Sequence, residues 1–162
     1  MIRPTDPSDT EPLCKIADET GVFRDLEVQA LREVLDDYHA MEPGHLHRSV
    51  TLLDDHGEVL GLAYYAQAAM TDRTWYLWWI IVDKGRQSKG LGSQLLKHAE
   101  AEIIAMNGRI MLIETSSLPM YEPTRGFYLR HAYENVCAIP DYYADGDDVT
   151  IFAKRFLPKD PS

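Results

Sequence analysis

The sequence is poor in cysteine and has no long apolar run. Its two cysteines, Cys14 and Cys137, give no disulfide framework and favour a reducing cytoplasm. No apolar stretch reaches the roughly 18 residues that a membrane helix needs. The first residues also lack the basic region and apolar stretch of a secretory signal. We therefore expect a cytoplasmic protein that does not bind a membrane.

Positive charge is scarce as well. There are 16 Lys and Arg residues against 26 Asp and Glu, a formal net charge of −10. A general nucleic-acid binder needs a basic face, so we expect no nucleic-acid partner. The acidity suits a cationic partner such as an amine, and it serves solubility equally well. Between residues 84 and 98 the balance reverses, which indicates a bound anion. The four basic residues there are Lys84, Arg86, Lys89 and Lys97.

Hydrophobic residues make up 45% of the chain, which supports a globular protein. We assign residues 1–157 to a single domain and residues 158–162 to a short C-terminal tail. Periodicity and turn residues predict the order β α α β β β α β α β β, a mixed α/β sheet. An apolar strand at residues 75–82 precedes a glycine-containing loop and a helix. A loop holding Tyr142 and Tyr143 joins the last two predicted strands.

The glycine loop, residues 87–92, reads Gln-Ser-Lys-Gly-Leu-Gly. A loop between a strand and a helix leaves backbone N–H groups at the helix N-terminus, where they favour a pyrophosphate. A dinucleotide fingerprint needs a third glycine where Leu95 stands. A P-loop needs a lysine and a hydroxyl directly after Gly90. The pattern Gln/Arg-x-x-Gly-x-Gly/Ala fits without exception, and a plain strand-to-helix turn is the alternative.

Together with residues 78–82, 93–96, 111–114 and 127–133, the glycine loop resembles the GNAT superfamily of acyl-CoA-dependent N-acyltransferases. The resemblance spans nearly the whole chain. It implies a mixed, mostly antiparallel sheet of about seven strands flanked by about four helices. It also implies acetyl-CoA as co-substrate, no metal, and a primary amine that attacks the thioester directly. A homodimer is possible.

The resemblance also implies which residues hold acetyl-CoA. The main chain of Ile80, Ile81 and Val82 would pair with the pantetheine arm like an added strand. Backbone amides of the glycine loop would hold the pyrophosphate. The loop residues are Gln87, Ser88, Lys89, Gly90, Leu91 and Gly92.

Two residues are predicted to be catalytic. Tyr128 matches the family tyrosine that donates a proton or a hydrogen bond to the leaving sulfur, and its alternative role is packing. Glu114 ends an apolar strand, where a carboxylate is unexpected unless it is paired or working. It resembles the glutamate base of ribosomal-protein alanine N-acetyltransferases, and a solvated strand-end glutamate is the alternative. Tyr142 and Tyr143 resemble acceptor-lining tyrosines of protein N-terminal acetyltransferases.

Two positions depart from the family pattern. Tyr121 stands where an asparagine often contacts the co-substrate. Ala132 replaces the glycine that ends the tyrosine helix, so a left-handed conformation there would cost about 1 kcal/mol.

Other candidate sites are weaker. His45 and His47 could share a strand face and bind a metal, but surface histidines are favoured. Cys14 and Cys137 are expected to be small buried residues. We expect the tryptophans at positions 75, 78 and 79 to lie mainly in the core, although any that face outward could line an acceptor pocket.

The leading interpretation is an N-acetyltransferase whose acceptor is a small-molecule amine or a protein N-terminus. The main alternative is a non-catalytic acyl-CoA-binding regulatory domain. The missing P-loop lysine disfavours a nucleotide enzyme.

Overall fold

A computed structural model describes residues 1–156, except for the side chains of Gln87 and Ser88. Residue 157 and the predicted C-terminal tail, residues 158–162, lie outside the described residues.

Within residues 1–156 the chain forms seven strands and four α-helices in the predicted order. The strands are β1 Ile2–Pro4, β2 His47–Leu53, β3 Val59–Gln67, β4 Thr74–Val82, β5 Ile110–Ser116, β6 Glu134–Ala144 and β7 Asp147–Arg155. The helices are α1 Thr10–Glu19, α2 Asp25–Ala40, α3 Leu91–Ala105 and α4 Glu122–Arg130. Short 3-10 helices occur at Pro7–Asp9, Lys84–Lys89 and Pro119–Tyr121.

The strands form one mostly antiparallel sheet in the order β1-β2-β3-β4-β5-β7-β6. Strands β4 and β5 are parallel, whereas β7 is antiparallel to both β5 and β6. The predicted fold is confirmed. In the described part of the chain, no helix is long and apolar enough to cross a membrane.

The predicted loop before β7 is wrong. Strand β6 continues through Tyr142 and Tyr143, and only Asp145 and Gly146 connect it to β7. The aspartates that indicated a loop instead stabilise a bulge and a tight turn. Asp141 has a φ of 54°, its N–H donates to Asp148 at 2.9 Å, and its carboxylate accepts from the Gly146 N–H at 2.7 Å.

The chain divides into two compact units. The first unit contains Met1–Ala66 and Trp79–Glu102. Its core packs apolar residues of α1 and α2 against β3 and β4, because these residues recur on one face of each helix. The members include Leu13, Ala17, Leu31, Leu35, Leu62 and Ile81.

The second unit contains Gln67–Trp78 and the described residues from Ile103 onwards. Alternation along its strands gives the sheet one buried face and one open face. Trp75, Leu77, Met111, Ile113 and Phe152 are buried. Cys14 is buried as expected, but the same prediction for Cys137 is wrong, because β6 lies at the sheet edge and is exposed along its length.

Candidate functional site

The glycine loop forms a 3-10 turn that leads from β4 into α3. The Asp83 carboxylate accepts a hydrogen bond from the Gly85 N–H at 2.8 Å and so begins the turn. Gly90 ends it in the left-handed conformation, with a φ of 73°. A Cβ added at Gly90 would meet nothing within 4 Å, so this side of the backbone is open. Both the conformation and the open space fit a glycine that lets a ligand approach the main chain.

Helix α3 begins directly after Gly90. The Gln94 N–H donates to the Gly90 carbonyl at 3.1 Å, which is the first bond of the helix. The amides of Leu91 and Gly92 precede this bond and have no carbonyl partner within the helix. They provide the donors that an anionic group needs at a helix N-terminus.

Basic residues around the loop are not all available to an anion. The Arg86 guanidinium lies 3.4 Å from the Asp54 carboxylate and 3.9 Å from that of Glu58. Lys84 and Lys89 are exposed. The local excess of positive charge predicted from the sequence is therefore partly neutralised by the turn between β2 and β3.

The predicted pantetheine-binding residues end strand β4. Ile81 and Val82 are buried, and Ile80 is half-buried. On β3, a Cβ added at Gly61 would lie 2.4 Å from the Ile81 carbonyl oxygen. Gly61 is therefore required for the close approach of two backbones at this point.

Tyr128 lies on α4 and is 3% exposed. Its ring centroid is 5.8 Å from that of Tyr133 and 6.0 Å from that of Phe152. Burial raises the pKa of its hydroxyl well above the ordinary value. Among the described residues, no hydrogen bond to this hydroxyl is found. The ring therefore packs against other aromatic rings, as expected for the alternative role of Tyr128 in packing. Its hydroxyl could still donate a hydrogen bond to a ligand.

The end of α4 shows the predicted strain. Ala132 has a φ of 65°, so a residue with a Cβ occupies the left-handed position that normally takes glycine.

Glu114 lies on β5 and is half-buried. Burial raises the pKa of its carboxyl above the ordinary value of 4.5. Within the described residues, this carboxylate has no hydrogen bond or ion pair. Half-burial and a raised pKa are properties that functional carboxylates often have.

Two tyrosines lie near enough to Glu114 for its charge to affect their hydroxyl groups. The pKa of Tyr76 is raised by burial and then by the charge of Glu114, and burial with the same charge raises the pKa of Tyr143 to about 12. Tyr142 and Tyr143 contact each other edge-on, with ring centroids 5.0 Å apart. The sequence analysis missed Tyr76. Its alternation with Trp78 along β4 was the available signal.

The two histidines of the metal hypothesis contact each other and a neighbouring tyrosine. The rings of His45 and His47 have centroids 6.0 Å apart, and the His47 Nδ1 forms a hydrogen bond with the Tyr64 hydroxyl at 2.6 Å. Across the residues that the structure describes, no group of three or more His, Cys, Asp or Glu side chains could hold a metal ion.

The element order and the strand, glycine loop and helix unit define the fold of acyl-CoA-dependent N-acyltransferases. A model described as the acetyltransferase (GNAT) family matches residues 13–133, most of the chain. The chain belongs to the GNAT family of acetyltransferases. Members of this family use acetyl-CoA, and the chain is an acyl-CoA-dependent acetyltransferase. The predicted resemblance and the predicted activity are confirmed.

Solved structures share the fold over nearly their whole length. A Desulfovibrio desulfuricans protein described as a candidate GNAT acetyltransferase is 29% identical, with a TM-score of 0.89, covering 96% of this chain and 98% of that one. An aminoglycoside 6'-N-acetyltransferase complexed with coenzyme A is 18% identical, with a TM-score of 0.75 and 98% of both chains covered. Ard1 from Thermoplasma volcanium is 18% identical, with a TM-score of 0.78 and 97% of both chains covered. No curated protein matches the chain.

Proposed function

We propose that this enzyme transfers an acetyl group from acetyl-CoA to a primary amine, with Glu114 as general base and Tyr128 as hydrogen-bond donor to the leaving sulfur. The observation that carries the proposal is the half-buried Glu114 carboxylate, which has no partner among the described residues. Direct attack by the amine needs no metal. We also propose that the enzyme is cytoplasmic and can form a homodimer.

The residues around the glycine loop fit acetyl-CoA. The open space at Gly90 and the amides that begin α3 suit a pyrophosphate, which carries negative charge and accepts hydrogen bonds. Lys84 and Lys89 add positive charge. We infer that residues 80–82 hold the pantetheine arm through their main chain.

Glu114 has the properties of a base for this reaction. An alkylammonium ion has a pKa near 10 and must lose a proton before its nitrogen can attack. A carboxylate in water is a weak base, and burial makes Glu114 a stronger one by raising its pKa. The proton passes from the ammonium nitrogen to the carboxylate and then to solvent.

The raised pKa of Tyr128 refines its role. A phenol whose pKa lies well above that of a thiol, about 8.5, does not readily surrender its proton to a thiolate. It remains protonated and donates a hydrogen bond that stabilises the charge on the departing sulfur. The attacking nitrogen releases a second proton when the amide forms, and the sulfur takes up one proton, so the reaction is balanced.

The acceptor is a small-molecule amine or a protein N-terminus. The aminoglycoside acetyltransferase and Ard1 share the fold at low identity, so neither decides between these classes. A regulatory acyl-CoA-binding domain is the alternative to catalysis. It gives no reason for a half-buried Glu114 carboxylate that has no partner among the described residues.

The test measures CoA release and acetyl-CoA binding for Glu114→Gln and Tyr128→Phe. At pH 7 we expect Glu114→Gln to lower kcat about 100-fold or more, because a general base contributes that much. Tyr128→Phe should lower kcat about 10-fold, the contribution of a hydrogen bond to a charged group. Both variants should bind acetyl-CoA as the parent does.

Two matched controls remove the same groups elsewhere. Glu134→Gln removes an exposed glutamate on β6, and Tyr133→Phe removes the hydroxyl of a buried tyrosine that contacts Tyr128. Both should retain turnover. Unchanged turnover in Glu114→Gln would exclude the base role, and acetyl-CoA binding without CoA release across a broad amine panel would favour the regulatory domain.

A further inference from the structure

One sheet face of the second unit is open and carries unusual chemistry. Tyr76 pairs with Leu112 across the parallel strands β4 and β5, and Glu114 pairs with Ile151 on β7. Because side chains alternate along a strand, Tyr76 and Trp78 point to one side of β4, and Leu112 and Glu114 to one side of β5. These four side chains are half-buried or exposed, whereas the residue that lies between each pair along its strand is buried.

Two aromatic side chains of this face and two of strand β6, which lie near enough to affect the pKa of Tyr76 or to be affected by Glu114, form what we call the aromatic cluster. They are Tyr76, Trp78, Tyr142 and Tyr143. The rings of Tyr76 and Trp78 are stacked, with centroids 4.6 Å apart and planes inclined by 12°. Trp78 remains 50% exposed, so part of its indole ring is accessible.

Glu114 faces the aromatic cluster. Its charge raises the pKa of both Tyr76 and Tyr143, which requires the carboxylate to lie near their hydroxyl groups. The cause of the raised pKa of Glu114 itself is burial, and no Lys, Arg or His in the described part of the chain lowers it. The face therefore presents the Glu114 charge without a compensating cation, and a second carboxylate, that of Asp147, lies near Tyr143 and accepts a hydrogen bond from Ser116.

A purely structural role does not explain this arrangement. An unpartnered, half-buried carboxylate costs stability, because its charge has lost water without gaining a partner. The faces of aromatic rings are also negative, so they do not compensate an anion. Both the carboxylate and the rings attract a cation, through an ion pair and through cation–π contacts. A bound cationic ligand would therefore explain both the carboxylate without a partner and the aromatic rings beside it.

We propose, on the basis of the function proposed above, that the aromatic cluster and Glu114 select the acceptor. It is a small primary amine on an uncharged aromatic or aliphatic skeleton, with no carboxylate beside its amino group. The ammonium group binds to the Glu114 carboxylate and to the face of the Trp78 ring, and the adjoining carbon skeleton extends along the same ring. Tyr142 and Tyr143 close the opposite side.

The tight connection between β6 and β7 favours a small acceptor over a peptide. Only Asp145 and Gly146 separate the two strands, and the tyrosines lie on β6 itself. A two-residue connection adds no loop that could hold a peptide main chain over this face, so recognition on the face depends on side chains. The aromatic cluster and Glu114 instead recognise one cationic group.

Matched amines test the predicted acceptor class. Phenethylamine, phenylalaninamide and phenylalanine share a ring and an amino group, but only phenylalanine carries a carboxylate beside the amine. We expect kcat/KM for phenethylamine to exceed that for phenylalanine at least about 10-fold, because a second negative charge near Glu114 is repelled. Phenylalaninamide should fall between them. An alanine-initiated hexapeptide amide should be a poor acceptor.

Variants of Trp78 test the aromatic contact. Trp78→Leu keeps an apolar side chain but loses the π face, and we expect it to raise KM for phenethylamine about 5- to 30-fold, the contribution of a cation–π contact. Trp78→Phe, which keeps a smaller ring, should raise KM less. The control Ile104→Ala removes an exposed apolar side chain on α3 and should leave KM unchanged. Acetyl-CoA affinity should be the same in all four proteins.

The outcomes separate the two proposals. Equal kcat/KM for phenylalanine and phenethylamine, a hexapeptide that is the best acceptor, or a parental KM in Trp78→Leu would overturn the acceptor selection while amine acetylation stands. Acetyl-CoA binding without CoA release for any acceptor would overturn the proposed function itself.

Discussion

The glycine loop and the aromatic cluster differ in what carries their chemistry. The glycine loop uses the main chain, since its distinctive properties are a left-handed glycine and the amides that begin α3. The aromatic cluster uses side chains, namely four rings that lie near the Glu114 carboxylate. Main-chain recognition depends on backbone conformation and tolerates many side chains, whereas side-chain recognition changes with each substitution. We therefore expect the glycine loop to fix the co-substrate and the aromatic cluster to determine the acceptor.

The largest predicted effect concerns Gly90→Asp. A carboxylate at Gly90 would extend into the open space where we place the pyrophosphate. Two like charges about 5 Å apart near a protein surface repel by roughly 3 kcal/mol, which is more than a 100-fold loss of affinity. Isothermal titration with acetyl-CoA measures the loss.

Gly90→Asn separates charge from size and conformation. Asparagine has nearly the same volume as aspartate, and both tolerate the left-handed conformation better than other residues do. We expect Gly90→Asn to retain much more affinity than Gly90→Asp. Equal losses would indicate that volume excludes the ligand, and intact binding in both variants would refute the assignment of the glycine loop.

We predict a smaller effect for the ionisation of Glu114. As pH rises, this ionisation should lower the free energy of unfolding and raise the catalytic rate. Because its pKa is raised in the folded protein, the folded state binds more protons than the unfolded state between about pH 4.5 and the raised value. The free energy of unfolding therefore falls as pH rises through this window. The catalytic rate rises over the pH range in which Glu114 ionises in the folded protein, because the base must be ionised.

Glu114→Gln should remove both pH dependences. At pH 7 it should increase the free energy of unfolding by about 0.5–1 kcal/mol, as the loss of a strained functional group commonly does. Below the ordinary glutamate pKa this gain should disappear. Urea unfolding at pH 4 and pH 7, together with a pH–rate profile, measures both effects. A variant less stable than the parent at pH 7 would show that the carboxylate has a stabilising partner.

The two regions also differ in how far the sequence predicted them. The glycine loop was predicted because its glycines, spacing and flanking apolar strand are local features of the chain. Glu114 was predicted because a carboxylate at the end of an apolar strand is rare. Tyr76 was missed because its role depends on the pairing of β4 with β5, which brings together residues distant in the sequence.

The prediction of the connection between β6 and β7 was wrong for a different reason. Aspartate and glycine usually indicate loops, and the sequence does not show that the Asp141 side chain would accept a hydrogen bond from the Gly146 N–H. The resulting bulge lets β6 continue past a residue with positive φ, which strand propensity alone cannot predict.

The smallest predicted effect compares two of the left-handed residues, Gly90 and Ala132. Gly90 occupies its conformation without strain, whereas Ala132 does so with a Cβ. Ala132→Gly should relieve about 1–2 kcal/mol of strain. Part of this gain in stability should be lost, because glycine has more conformational freedom than alanine in the unfolded chain. We expect a net increase of up to about 1 kcal/mol in the free energy of unfolding, measured by urea titration.

Gly90→Ala is the reciprocal variant. It introduces the same strain into the glycine loop and should lower stability by about 1 kcal/mol, because a Cβ there meets no other atom and only the conformation is penalised. If Ala132→Gly destabilised the protein, the α4 end would require the Ala132 methyl group for packing. The exposure of Ala132 argues against that requirement, so the conformation of its backbone should decide the sign.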